Sequence, residues 1–205
     1  MTISDGLSWP VRLSHNHVEL RPIRYRDARA WAELRRRNEQ WLREWESTNP
    51  PDAARRPLTY RQMVRRFNAQ ARSGEALPWV VTYDGTLAGQ LNVSNIVWGS
   101  GRMATVGYWV DERLAGRGII PTALALAVDY CFGTLGLHRI EVNIRPENQA
   151  SLRVVHKLGF REEGTRERYL HINGEWRDHL SFGMTADEVP GGLLRRWAET
   201  ERSAS

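Results

Sequence analysis

Apolar and polar positions alternate over residues 17–24 (HVELRPIR), with Val18, Leu20 and Ile23 on one side, which predicts a first strand. Asp27 then stands where a helix N-cap belongs, and Trp31, Leu34, Leu42 and Trp45 recur at helical spacing behind it. The run Asn49-Pro50-Pro51-Asp52 ends that helix. A second helix is predicted over 59–73, with Met63, Val64, Phe67 and Ala71 inward and Gly74 at its C-terminal end. Residues 79–83 and 87–98 read as a hairpin around the Asp84-Gly85 turn, and 105–110 returns as a strand after Gly99-Ser100-Gly101.

The order then changes. An apolar helix over 119–132, a strand over 138–144 and a helix over 150–158 form an alternating unit. Strands over 162–171 and 175–184 follow, joined by an Asn173-Gly174 turn of the kind that needs positive φ at both central positions. Hairpins feeding one βαβ unit predict a mixed α/β sheet in a single domain over residues 1–188. The tail 189–205 carries Leu193, Leu194 and Trp197 as a short helix.

The chain has 205 residues, 41% of them hydrophobic and 26% charged, which is a globular balance rather than a disordered one. No run reaches the ~18 apolar residues of a membrane span, and the first twenty residues lack a basic start before an apolar stretch. A cytoplasmic protein without membrane association is therefore expected. Cys131 is the single cysteine, which excludes an internal disulfide framework and a cysteine-based zinc site. The six histidines (His15, His17, His138, His156, His171 and His179) show no ligand spacing, so no metal is expected. Ser100 lacks the full nucleophile elbow of a hydrolase. Lys157 is the only lysine. Residues 1–75 hold 15 arginines against 9 acidic residues, so the excess positive charge lies in the N-terminal third, densest at Arg35-Arg36-Arg37, Arg55-Arg56 and Arg65-Arg66. Such a surface suits an acidic or RNA-associated partner, although a solvated basic face gives the same pattern.

Two loops carry candidate chemistry. In the first, Arg113-Leu-Ala-Gly116-Arg117-Gly118-Ile119-Ile120-Pro121, the glycines allow a sharp turn, and the free N–H groups of a following helix start can hold a pyrophosphate. The loop is neither a Walker A motif nor the dinucleotide fingerprint, and an ordinary strand–helix turn shares its pattern. In the second, Asn148-Gln149-Ala150-Ser151 runs into a helix ending at Gly159-Phe160, where Asn148 or Ser151 can cap the helix and Gly159 can end it.

Together, Arg113-x-x-Gly116-x-Gly118, Asn148-x-x-Ser151 and Gly159-Phe160 resemble the acetyl-CoA-binding core of the GNAT N-acetyltransferases. The run Gly107-Tyr108-Trp109-Val110-Asp111-Glu112 is similar to the RimJ/RimL branch, the ribosomal-protein-alanine N-acetyltransferases. The resemblance implies a twisted mixed sheet of about seven strands flanked by helices, with central strands splayed for acetyl-CoA. It implies that backbone amides of Gly116, Arg117, Gly118, Ile119 and Ile120, in the motif that Arg113 opens, hold the pyrophosphate, with Asn148 beside the cofactor. It further implies that the Val110 N–H polarises the thioester oxygen, that Glu112 accepts the amine proton through water, and that Ser151 protonates the departing sulfur. The tyrosine acid of many GNAT enzymes is replaced here by Val155.

The function so implied is acetyl transfer from acetyl-CoA to a primary amine in a ternary complex, with a protein N-terminus, such as that of a ribosomal protein, as acceptor. A small amine (an aminoglycoside, a polyamine or an amino acid) is the alternative, and a non-catalytic RNA- or ribosome-associated module a second one.

Overall fold

Strands with apolar residues on both faces become the middle of a sheet, and β3 (Leu77–Tyr83) is buried at every position but its last. The computed structural model describes residues 9–53 and 56–203. Around β3 lie β1 (Leu13–His15), β2 (Val18–Pro22), β4 (Thr86–Val97), β5 (Met103–Val110), β6 (Arg139–Ile144), β7 (Arg161–Ile172) and β8 (Glu175–Thr185), in one sheet ordered β1-β2-β3-β4-β5-β6-β8-β7. Every pairing is antiparallel except β5 with β6. The sheet thus has eight strands where about seven were expected. The addition is the three-residue β1, which pairs with β2 across a turn whose Asn16 takes φ +49 without a glycine to announce it.

Among the described residues six α-helices cover the sheet: α1 (Ala28–Arg37), α2 (Glu39–Arg43), α3 (Tyr60–Arg72), α4 (Ile119–Asp129), α5 (Gln149–Leu158) and α6 (Leu193–Ser203). The larger core lies where α4, α5 and α6 meet the sheet face formed by Leu20, Trp79, Leu91, Val93 and Val106. Its centre is α4, every residue of which from Ile119 to Val128 is buried, so the helix is apolar all round rather than along one stripe. The other face holds a smaller core in which α1 and α3 set Leu34, Val64 and Phe67 against Val80 and Leu87. Ile23 belongs to this second core, whereas Val18 and Leu20 belong to the first. An odd-numbered position cannot share the face of two even-numbered ones in a regular strand.

Three local expectations are corrected. Asp27 does not cap α1 with its side chain. Its carboxylate accepts from Arg24 N at 2.8 Å and from Arg21 Nη1 at 2.7 Å, because a buried carboxylate bonds the strongest donors within reach. The helix from Asp27 to Trp45 is not continuous. Asn38 breaks it between α1 and α2, with φ −101° and ψ 11°, and its amide donates back to the Leu34 carbonyl at 2.9 Å. The apolar helix after Gly118 ends at Asp129 and opens into one π-helical turn, Tyr130–Thr134, that carries Cys131.

The tail closes onto this body. Asp129 accepts from the N–H groups of Leu193 (2.6 Å) and Leu194 (3.1 Å) at the start of α6, and Leu193 and Trp197 are buried in the larger core. Burying an apolar side chain of this size contributes about 1.5–3 kcal/mol. Arg55 lies outside the described residues.

Candidate active site

The parallel pairing of β5 with β6 lasts for three residue pairs, Met103 with Arg139, Ala104 with Ile140 and Thr105 with Glu141. Beyond Thr105, β5 stays with β4 as far as the pair Val110–Gly89, while β6 stays with β8 as far as Ile144–Leu180. The two central strands therefore part in the middle of the sheet. Gly89 lets β4 stay close to β5 here, since a Cβ on it would lie 2.1 Å from the Trp109 carbonyl oxygen. The Asp111 N–H points to β4, donating to Ala88 O at 2.7 Å, so by strand alternation the peptide groups of Val110 face the gap. The Val110 carbonyl meets Trp41 Nε1 there at 3.2 Å.

A cavity of about 810 Å³ occupies this gap. Val110, Glu112, Gly116, Gly118, Ile119, Ile120, Asn148 and Ser151 all line it. Arg113 and Arg117 sit on the same loop without lining it, and the Arg113 guanidinium turns away to Asp111 at 3.2 Å. Trp41 of α2 and Trp45 just after it also line the cavity. Val155 is fully buried and faces the core.

Each element presents its groups for a local reason. Gly116 and Gly118 adopt φ +82° and +72°, the left-handed region, and turn the chain from the loop into α4. The amides of Ile119 and Ile120 fall in the first turn, where a helix offers no internal acceptors. Asn148 caps α5, its Oδ1 accepting from Ser151 N at 3.0 Å, so its –NH₂ group is the end left for a ligand. Gly159, at φ +73°, ends α5.

Behind the wall, Asp111 is 2% exposed. Burial pushes its carboxyl up, but hydrogen bonds from Arg37 (2.6 Å) and Arg113 prevail and hold it below the usual carboxylate range. Asn38 Oδ1 accepts from Glu112 N at 2.9 Å, which fixes the backbone of Glu112, one of the residues that line the cavity. Burial raises Tyr108 above its ordinary value, and its hydroxyl donates to Ser151 O at 3.4 Å across the parted strands.

Residues 17–161 match the family described as acetyltransferase (GNAT) domain. The chain belongs to the GNAT acetyltransferases. It is 30% identical over 184 residues, 88% of this chain and 94% of the other, to the [Ribosomal protein uS5]-alanine N-acetyltransferase of Escherichia coli. It is 27% identical to spermidine N(1)-acetyltransferase of E. coli, covering 82% of this chain and 85% of that one. Among solved structures, Mycobacterium smegmatis RimJ in complex with CoA-disulfide is 37% identical and superposes with a TM-score of 0.87, covering 95% of this chain and 96% of that chain. This GNAT protein is accordingly an N-acetyltransferase whose acetyl donor is acetyl-CoA.

The residues present fit that donor. The left-handed glycines and free amides at the start of α4 suit a pyrophosphate, and Arg153 and Lys157 line the cavity one turn apart on α5. Glu44 at the end of α2, Glu112 after β5 and Glu147 after β6 line the same cavity. Three lining or supporting residues, Asn38, Gln40 and Glu44, stand in no sequence motif of chemistry. For Asn38 the one available signal was an uncharged amide directly after Arg35-Arg36-Arg37.

Proposed function

We propose that this acetyltransferase modifies the N-terminal α-amine of a protein, a ribosomal protein being the favoured acceptor, by direct transfer in a ternary complex. One observation carries the reading: a parted pair of strands brings the outward-facing peptide of Val110, the Glu112 carboxylate and the Ser151 residue onto the same cavity as the Gly116–Gly118 loop. The likeness to a ribosomal-protein N-acetyltransferase over nearly the whole length of both chains supports the choice of acceptor.

Acetyl-CoA supplies an acetyl thioester, and the reaction exchanges its C–S bond for the C–N bond of an amide while one proton leaves nitrogen and one reaches sulfur. The amides of Gly116, Arg117, Gly118, Ile119 and Ile120 would hold the pyrophosphate, with the Asn148 –NH₂ beside the pantetheine arm. The Val110 N–H is aimed to hydrogen-bond the carbonyl oxygen, where negative charge builds up during attack. The Glu112 carboxylate takes the amine proton through water, and the Ser151 hydroxyl delivers one to the sulfur. An acyl-enzyme on cysteine has no place in this scheme, because Cys131 is buried in the larger core and burial pushes its thiol up to about 12.

A cytoplasmic site of action accompanies this reading. A steering role for the N-terminal arginines is narrower than their number suggests. Arg35 is bound to Glu46 and Arg37 to Asp111, which leaves Arg36, Arg56, Arg65 and Arg66 as exposed candidates for an acidic or RNA-associated partner. A small-amine acceptor is the second reading, favoured by the likeness to spermidine N(1)-acetyltransferase. Mass spectrometry of acetyl-CoA reactions offered peptides varied at the first residue, together with spermidine and an aminoglycoside, decides between them. Acetylation confined to the small amines rejects the protein acceptor.

A further inference from the structure

Gly107 stands in the middle of β5, exposed, directly opposite Asn92 of β4. Neither usual reason for glycine applies: its φ lies outside the left-handed region, and a Cβ on it would meet nothing within 4 Å. Glycine inside a strand weakens it, and its remaining purpose is to let a ligand or another backbone come close. Beside it, Asn92 Oδ1 is buried and has no hydrogen-bond partner among the described residues. A buried acceptor left unpaired costs stability that a ligand donor would restore.

Both residues line a second cavity of about 290 Å³, together with Phe67, Gln90, Ser94 and Trp109. Gln90, Asn92 and Ser94 alternate along β4 and so share the face that packs against α3. Gln90 Oε1 accepts from Trp109 Nε1 at 3.4 Å, which leaves its –NH₂ group as a donor. Trp109 is itself held between Trp31, at a ring separation of 5.8 Å, and the Arg35 guanidinium. Tyr108 and Trp109 also line the larger cavity, so the two spaces share a wall. From Val110 to Gly107 along β5 is about 10 Å, the reach of about three extended residues.

We propose that this second cavity is the subsite for the acceptor's backbone just beyond the residue that is acetylated. Asn92 Oδ1 accepts a peptide N–H there, the Gln90 –NH₂ donates to a peptide carbonyl, and Gly107 provides the clearance. The lining has no Asp, Glu, Lys, Arg or His, which suits neutral peptide groups and not the ammonium groups of a polyamine. The inference rests on the protein N-terminus as acceptor.

The test compares alaninamide with a neutral tetrapeptide amide beginning with Ala, using the full-length chain and acetyl-CoA. Wild type is expected to favour the tetrapeptide. Gly107→Val, which fills the space without a steric clash at its Cβ, should lower kcat/KM for the tetrapeptide about tenfold, with alaninamide turnover and the KM for acetyl-CoA unchanged. Asn92→Leu should show the same selective loss with a melting temperature no lower than wild type, because it removes an unpaired buried oxygen. Equal losses on both acceptors, or none on the tetrapeptide, overturn the subsite while leaving the protein acceptor standing. A wild type that acetylates spermidine and neither alanine compound overturns the acceptor assignment and the subsite with it.

Discussion

Asn38 Oδ1 accepts the backbone N–H of Glu112 at 2.9 Å while the Asn38 side-chain amide donates to Leu34 O at the same distance. One side chain therefore breaks the helix between α1 and α2 and fixes the loop that presents the carboxylate. Asn38 is 1% exposed, so both of its bonds are made away from solvent.

Asn38→Ala should lower stability by about 2 kcal/mol, since it leaves the Glu112 N–H without its partner. Turnover should fall while the KM for acetyl-CoA stays near wild type, because the phosphate loop is untouched. Denaturant titration and steady-state kinetics on the same preparation check both halves.

Glu112→Gln should reduce turnover on an α-amine about 10²-fold at pH 7. An α-amine has an ordinary pKa near ~7.7–8, so the neutral fraction grows with pH and the deficit should shrink above pH 8. A kcat profile from pH 6 to 9 for both proteins reads this, and a deficit that does not change with pH counts against a base.

Gly118→Val should weaken CoA binding at least about tenfold by calorimetry. Residue 118 sits at φ +72°, where a β-branched side chain costs about 1–2 kcal/mol, and the new Cβ would lie 2.8 Å from Glu201 Oε1. Unchanged affinity in a folded variant would remove the loop from the cofactor site.

Asp111 governs an acid-dependent part of stability. Its folded-state pKa is lowered, so its contribution is complete above the ordinary carboxylate value near ~3.9 and is lost as pH falls through the folded value. Asp111→Asn should be less stable than wild type by about 2 kcal/mol at pH 7, and the gap should narrow below about pH 4. Urea titrations from pH 7 to pH 3 measure it.

Salt dependence tests the exposed arginines. If Arg36, Arg65 and Arg66 draw in an acidic acceptor, kcat/KM for an acidic peptide should fall steeply between about 25 and 300 mM salt, and a neutral peptide should change little. Equal rates for the two peptides at low salt leave these residues as solvated surface.

Much of the site was legible because its chemistry lies in short continuous runs. Gly116 to Pro121 and Asn148 to Ser151 each contain their own turn, cap and free amides, so their local conformation follows from neighbours in the chain. Seven of the eight strands were readable for the same reason, and the short β1 with its Asn16 turn was not. Asp84-Gly85 and Asn173-Gly174 both take positive φ as their residue types demand.

What only the tertiary structure decided are relations between distant segments. The parting of β5 from β6 depends on which neighbour each strand keeps, and alternation along one strand carries no information about that. Likewise Asn38 and Glu112, 74 positions apart, and Asn92 opposite Gly107 acquire their roles only when the sheet and helices bring them together. Local order needs a few dihedral angles set by near neighbours, whereas these contacts exist because burial of two apolar cores forces separate segments into one volume.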